Sequence, residues 1–192
     1  MIDIEKTIRL SIETKERLLD SCLESINSSV KIMVETAKKN KNIFWCGNGG
    51  SAADSQHMAA ELMGGLRSHN RPPIRSIALT TDSSFITAWA NDTSYDSIFS
   101  RQLEALGEEG DLLIAISTSG NSKNVIEVIK LAQNKKIKCI ILTGSSGGEM
   151  SEMGQVVIKV PSDDTQRIQE SHLLIEHILC ECVESELLKN YE

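Results

Sequence analysis

Between Ile4 and Lys39 the apolar positions Ile4, Ile8, Ile12, Leu19, Leu23, Ile26, Val30, Met33 and Ala37 recur at spacings of three, four or seven. That is the period of a helix with one apolar stripe. The segment predicts two helices or one long bent helix. An amphipathic arm of this length requires a partner surface, either one face of the chain's own sheet or another subunit.

Beyond the arm the period changes. Five short β-rich runs, Asn42 to Cys46, Arg75 to Leu79, Asp111 to Ile116, Ile137 to Leu142 and Gln155 to Val160, alternate with helical stretches. The helices are expected over Ser51 to about Met63, Ser94 to Leu106, Asn121 to Gln133, and from about Asp164 or Thr165 to Leu188. Alternating strands and helices imply βαβ units, and the unbroken apolar runs LLIAI and IKCIIL imply strands buried on both faces. The fold class is α/β: a three-layer αβα sandwich around a five-stranded parallel sheet, flavodoxin-like, carried by residues 41–192. Residues 1–40 form a helical arm within the same domain. Pro72 and Pro73 mark a loop, Gly144 to Gly148 a turn.

Length and composition add limits. A chain of 192 residues builds one substantial core, here aliphatic because only 4% of residues are aromatic. The formal charge of −7, with no basic stretch, excludes nonspecific nucleic-acid binding. The lysines near 38–41 and 135–138 fall where helices end and read as cations at helix C-termini. Five cysteines, Cys22, Cys46, Cys139, Cys180 and Cys182, form no CxxC pair, which suits a reducing cytoplasm. The charged N-terminus has no signal-peptide core, and no run is apolar enough to span a bilayer.

In an open parallel sheet ligands bind outside the carboxyl ends of the strands. The first strand runs into GNGGS, Gly47 to Ser51, and the third into STSGNS, Ser117 to Ser122; each then enters a helix. Glycines let backbone amides approach a ligand, and a helix N-terminus favours an anion. Either loop alone is equally well a tight βα turn with an N-cap. Two on one edge of one sheet favour a phosphate cradle. Neither GxGxxG nor GxxxxGK[ST] is present, so the phosphate belongs to a small molecule.

The helix after GNGGS carries His57 and Glu61 at i and i+4, on one face. That spacing suits two ligands of one metal ion or an acid and base across one substrate, and it is also common on solvated helices. The last helix carries Arg167, Gln169, Glu170, His172, Glu176 and His177. Glu176 and Glu181 read as part of a solvated face. His172 and His177, five apart, point in different directions and should not share one centre.

The segments CGNGGSAADSQHMAAEL (Cys46 to Leu62), Asn91-Asp92, ISTSGNSKNVI (Ile116 to Ile126), LTGSSGG (Leu142 to Gly148) and RIQESHLLIEHIL (Arg167 to Leu179) together closely resemble the phosphoheptose isomerases, a family of sugar-isomerase (SIS) domain proteins. The resemblance covers almost the whole chain. It implies conversion of sedoheptulose 7-phosphate to D-glycero-D-manno-heptose 7-phosphate through an enediol, the first step of heptose precursor synthesis, with lipopolysaccharide one destination.

The resemblance further implies that Asn48, Gly49, Gly50, Glu61, Asn91, Asp92, Ser117, Thr118, Ser119, Ser122 and Gln169 contact substrate. It implies one zinc per subunit on His57, Glu61, Gln169 and His177, with Glu61 and His177 as the acid–base pair, and a homotetramer with active sites at subunit interfaces. Gln169 and His177 are eight residues apart, about 12 Å of rise on a straight helix. At least one ligand is therefore expected from a neighbouring subunit. Thr165 and Gln166 lie in a variable stretch and are left unassigned. A noncatalytic SIS module would keep the cradle and lose the acid–base residues; Glu61, Gln169 and His177 are all present.

Overall fold

The computed structural model describes residues 2–189. The five strands are β1 (Ile43–Gly47), β2 (Ser76–Ala78), β3 (Leu112–Ile116), β4 (Lys138–Thr143) and β5 (Val156–Lys159). They form one parallel sheet in the order β2-β1-β3-β4-β5. Side chains alternate across a strand, and here both faces are covered. Ile43, Trp45, Leu112, Ile114, Ile116, Ile140 and Leu142 enter one core, while Phe44, Cys46, Leu113, Ala115, Cys139 and Ile141 enter the other. All of them are fully buried, and each large aliphatic side chain among them contributes roughly 1.5–3 kcal/mol by leaving water.

The first core is closed by α2 (Leu23–Lys38), α3 (Gly50–Gly64) and α7 (Thr165–Leu188), the second by α5 (Ile98–Leu106) and α6 (Lys123–Asn134). The arm is two helices. α1 (Ile4–Ser21) stops where Cys22 leaves helical geometry, and α2 follows at once. Ile26 and Met33 of α2 reach the chain's own sheet core. α1 instead runs beside the start of α7, where the Ser11 hydroxyl donates to Glu170 over 2.8 Å. Only Thr14 and Leu18 of α1 are buried. Ile4, Ile8, Ile12 and Leu19 stay exposed.

The stretch expected as one helix over Ser94 to Leu106 is divided. Thr93 breaks the chain with φ −133° and ψ −87°, the Ser94 side chain caps a 3-10 turn at Tyr95–Ser97, and α5 starts only at Ile98. Before it lies a helix the periodicity did not predict, α4 (Ser83–Asp92), capped by Asp82, whose side chain accepts from the Phe85 amide. The strand bounds agree with expectation to within a residue or so at each end.

Candidate active site

Both glycine-rich loops leave the carboxyl edge of the sheet, from β1 and β3, which pair along their length. They are tied together by one reciprocal amide pair. The Asn48 side chain donates to Asn124 over 2.9 Å, and Asn124 donates back to Asn48 over 2.8 Å. Tyr95 adds a third contact, its hydroxyl donating to the same Asn48 oxygen at 2.9 Å. In the second loop the Ser117 and Ser122 hydroxyls lie 3.0 Å apart, with Ser119 3.5 Å from Ser117. Ser122 occupies the N-cap of α6, yet its carbonyl, not its hydroxyl, receives the first-turn amides. Its hydroxyl therefore stays with the serine cluster. Gly120 is obligatory here, since φ is +66° and a Cβ would meet the Gly147 carbonyl oxygen at 2.0 Å.

Asn91 and Asp92, at the end of α4, are exposed, and the Asn91 amide donates to Asp92 over 2.7 Å. Among the described residues no hydrogen bond joins them to the cradle. Their segment reaches it only through Tyr95. Tyr95 and Asn124 were not anticipated from the sequence; the available signal was an Asn two residues into α6, a place where its amide is free to turn back on the adjacent loop.

α3 and α7 lie side by side, running the same way. Gln169 stands at the beginning of both: its amide lies against Gly50, where a Cβ would come within 1.7 Å, and donates to Asp54 over 3.4 Å. Two turns further along α7, His177 meets His57 edge to face, with ring centroids 4.9 Å apart. The His57 Nε2 lies 3.0 Å from the Glu61 carboxylate. Glu61 is half-buried, its side chain 23% exposed. His57, Glu61 and His177 thus form one cluster, and Gln169 belongs to the cradle end of the same seam. Asp54, missed from the sequence, stands at i−3 from His57 and is buried. Burial raises its carboxyl above the usual range, opposed by the Gln169 amide and by His57 and His177.

His172 faces away from this cluster, as its spacing from His177 required. It is wholly buried, with Nε2 3.1 Å from the Thr143 carbonyl, and burial holds its pKa down at about 4. Glu176 corrects the expectation of a solvated face. It is fully buried, neither carboxylate oxygen has a partner, and burial together with the nearby Asp54 pushes it up to about 8. A charged residue on a long helix is read as solvated from sequence; only the packing of α7 across the sheet puts this one inside.

The donor chemistry of the cluster fits zinc in kind: two imidazoles and a carboxylate are ordinary ligands for it. His177 also pairs its Nδ1 with the Leu173 carbonyl at 2.9 Å, the backbone bond that orients metal-binding imidazoles and leaves Nε2 as the donor. Among the described residues, however, no three His, Cys, Asp or Glu side chains are arranged to hold an ion by themselves. Gln169 does not complete the set within the chain, because its amide sits at Gly50.

The five-stranded parallel sheet carries two glycine-rich loops at its carboxyl edge and a His–Glu–His cluster further along α3 and α7, and residues 9–144 match the SIS domain family. Relatives narrow the class. The chain is 50% identical over 175 residues to a phosphoheptose isomerase of Aliarcobacter butzleri, covering 91% of this chain and 92% of that one. It is 46% identical to a phosphoheptose isomerase of Helicobacter pylori, covering 96% of each. The solved structure of phosphoheptose isomerase GmhA from Neisseria gonorrhoeae superposes with a TM-score of 0.89 at 40% identity, over 95% of this chain and 97% of that one. A phosphoheptose isomerase from Francisella tularensis superposes with a TM-score of 0.91 at 36% identity, over 95% and 96%. The chain belongs to the phosphoheptose isomerase family.

Proposed function

We propose that this chain converts sedoheptulose 7-phosphate to D-glycero-D-manno-heptose 7-phosphate by proton transfer through an enediol, supplying a heptose to glycans such as lipopolysaccharide. The observation that carries this reading is the His57–Glu61–His177 cluster on α3 and α7, two helices whose N-terminal ends meet at the first glycine-rich loop, Gly50 against Gln169. Family membership supplies the seven-carbon substrate.

Asn48, Gly49, Gly50, Ser117, Thr118, Ser119 and Ser122 take the phosphate and neighbouring hydroxyls with neutral donors and backbone amides; Asn91, Asp92, Glu61 and Gln169 complete substrate binding. Glu61 moves the proton between C1 and C2. His177 exchanges protons at the oxygens, a task an imidazole serves as both proton donor and acceptor. Its Nδ1 bond to Leu173 leaves Nε2 as its one available nitrogen, so it exchanges protons only while it is off the metal.

His57, Glu61 and His177, with Gln169, would hold one zinc per subunit, which would polarise the substrate carbonyl. Because Gln169 and His177 stand eight residues apart on α7, about 12 Å along the helix, the set is completed across an interface between copies of the chain. The exposed apolar stripe of α1 supports such an assembly, a homotetramer in this reading. The five cysteines are all free, and no helix among the described residues is long and apolar enough to cross a membrane; both features suit the cytoplasm.

An NMR assay with sedoheptulose 7-phosphate, run with and without a chelator, tests the proposal. Appearance of the aldose, at a rate that chelation lowers and zinc restores, is the expected result. No turnover in the zinc-supplemented protein would rule the reading out.

A further inference from the structure

Arg71 and Glu184 form the most deeply buried ion pair among the described residues, each side chain 2% exposed, with 2.7 Å between Nε and the carboxylate. Taking two charges out of water is costly, and apolar side chains of similar size often serve stability as well or better. What distinguishes this pair is its connections. Glu184 also accepts the backbone amides of Leu66, Arg67 and Ser68 at 2.8, 2.7 and 2.9 Å. Burial alone would raise its carboxyl, but Arg71 and these three amides hold it below the usual range. Arg71 in turn spends its other nitrogens on the Pro72 carbonyl at 3.0 Å and on the carbonyl of Glu61 at 2.9 Å.

The Glu61 carbonyl is already the acceptor for Gly65, where α3 ends. One guanidinium therefore bolts the last turn of α3, at the residue assigned to carbon proton transfer, to a carboxylate on α7. Glu184 stands seven residues beyond His177 on α7, two turns on and on the same stripe of the helix. The pair thus joins the two helices close to the point where Glu61 and His177 must be held in mutual register.

We propose that Arg71 and Glu184 are positioning residues for the isomerisation: they fix α3 against α7 so that Glu61 and His177 address one substrate. This rests on the assignment of Glu61 and His177 as the acid–base pair. The cradle, at the opposite end of α3, is untouched by the pair, so substrate binding and turnover should separate. A misplacement of about 1 Å at a reacting group can cost on the order of a hundredfold in rate.

The test compares wild type, Arg71→Lys, Glu184→Gln and the double variant Arg71→Met/Glu184→Gln, with Ile129→Val in α6, on the opposite face of the sheet, as a control for stability. Each is assayed for kcat, KM and melting temperature with sedoheptulose 7-phosphate. Lysine keeps the charge but lacks the fork that reaches both Glu184 and the Glu61 carbonyl. The expected result is a kcat lowered about tenfold or more in the single variants with KM within about threefold, and no recovery of kcat in the double variant, which strands no buried charge and regains melting temperature. A double variant that recovers kcat along with stability, or singles within twofold of wild type, overturns the inference, as does an equal loss in Ile129→Val. Wild type without turnover instead defeats the isomerase reading, and this inference with it. Should a single variant fail to fold, the double variant alone decides.

Discussion

The rings of His57 and His177 meet edge to face at 4.9 Å with an interplanar angle of 78°, although one side chain comes from α3 and the other from α7. The contact fixes the alignment of the two helices. Gly50 and Asp54 lie beside Gln169, Met58 lies beside Cys180, and the amide after Gly65 reaches Glu184. The helices therefore advance together from the glycine-rich loop at Gly50 toward the Arg71–Glu184 pair, and the proposed chemistry lies between these two fixed ends.

Replacing Glu61 by Gln should separate binding from chemistry. The amide keeps the shape and the hydrogen bond to His57 but cannot accept a carbon proton, so kcat should fall by about 10²–10⁴. Affinity for the sugar phosphate, measured by calorimetry, should stay within severalfold. His57→Ala should release zinc, read by metal analysis of the purified protein, with only partial loss of turnover. Near-normal turnover in Glu61→Gln would show that another group moves the proton.

A site shared between subunits can be read from mixed oligomers. Gln169→Ala and His177→Ala should each be poorly active alone, since each lacks one partner of the proposed site. Coexpressed, they should regain activity, because some interfaces then combine an intact Gln169 from one chain with an intact His177 from another. Mixed oligomers no more active than the parents would place all the ligands of each site in one chain.

Much of this architecture was legible in the sequence because burial leaves a pattern. β1, β3 and β4 are covered on both faces, so their unbroken apolar runs announced a parallel sheet. α4 left a fainter trace: none of its residues is fully buried and only Ile86, Trp89 and Ala90 pack partly against a core, so Asn91 and Asp92 were seen as a motif without a helix. His57 and Glu61 were legible as an i, i+4 pair. Their meeting with His177, 120 residues later, depends on how α7 packs, and only family resemblance put it in view. Glu176 was misread for a related reason, because side-chain chemistry suggests solvent and only packing puts it inside.

The arm offers a prediction about assembly. Ile8 and Ile12 are 56% and 51% exposed one turn apart on α1, and Leu19 and Leu23 continue an apolar surface at 62% and 50%. Ile8→Glu/Ile12→Glu should leave the chain's own fold intact, since neither side chain belongs to a core. In the reading proposed here it should shift the oligomer toward smaller species in light scattering and lower activity in parallel. A fully active, unchanged oligomer would mean that α1 does not form the interface.

Two buried groups on α7 make stability depend on pH in opposite senses. Glu176 is raised from an ordinary value of 4.5 to about 8 by burial and by Asp54, so between those values the folded chain holds a proton that the unfolded chain has lost. Stability then falls as pH rises, by at most about 1.4 kcal/mol per unit. His172 is lowered by burial from 6.5 to about 4, so over that range the unfolded chain holds the extra proton and stability rises with pH. The two contributions oppose each other between pH 4.5 and 6.5, which leaves the Glu176 loss exposed from pH 6.5 to 8. Urea midpoints of wild type should therefore fall across that upper window. In Glu176→Gln the amide has no proton to lose, so the fall should be smaller and the variant should be the more stable protein at pH 8. Equal falls in both proteins would mean that Glu176 is ionised inside the fold and that its charge has a partner within reach.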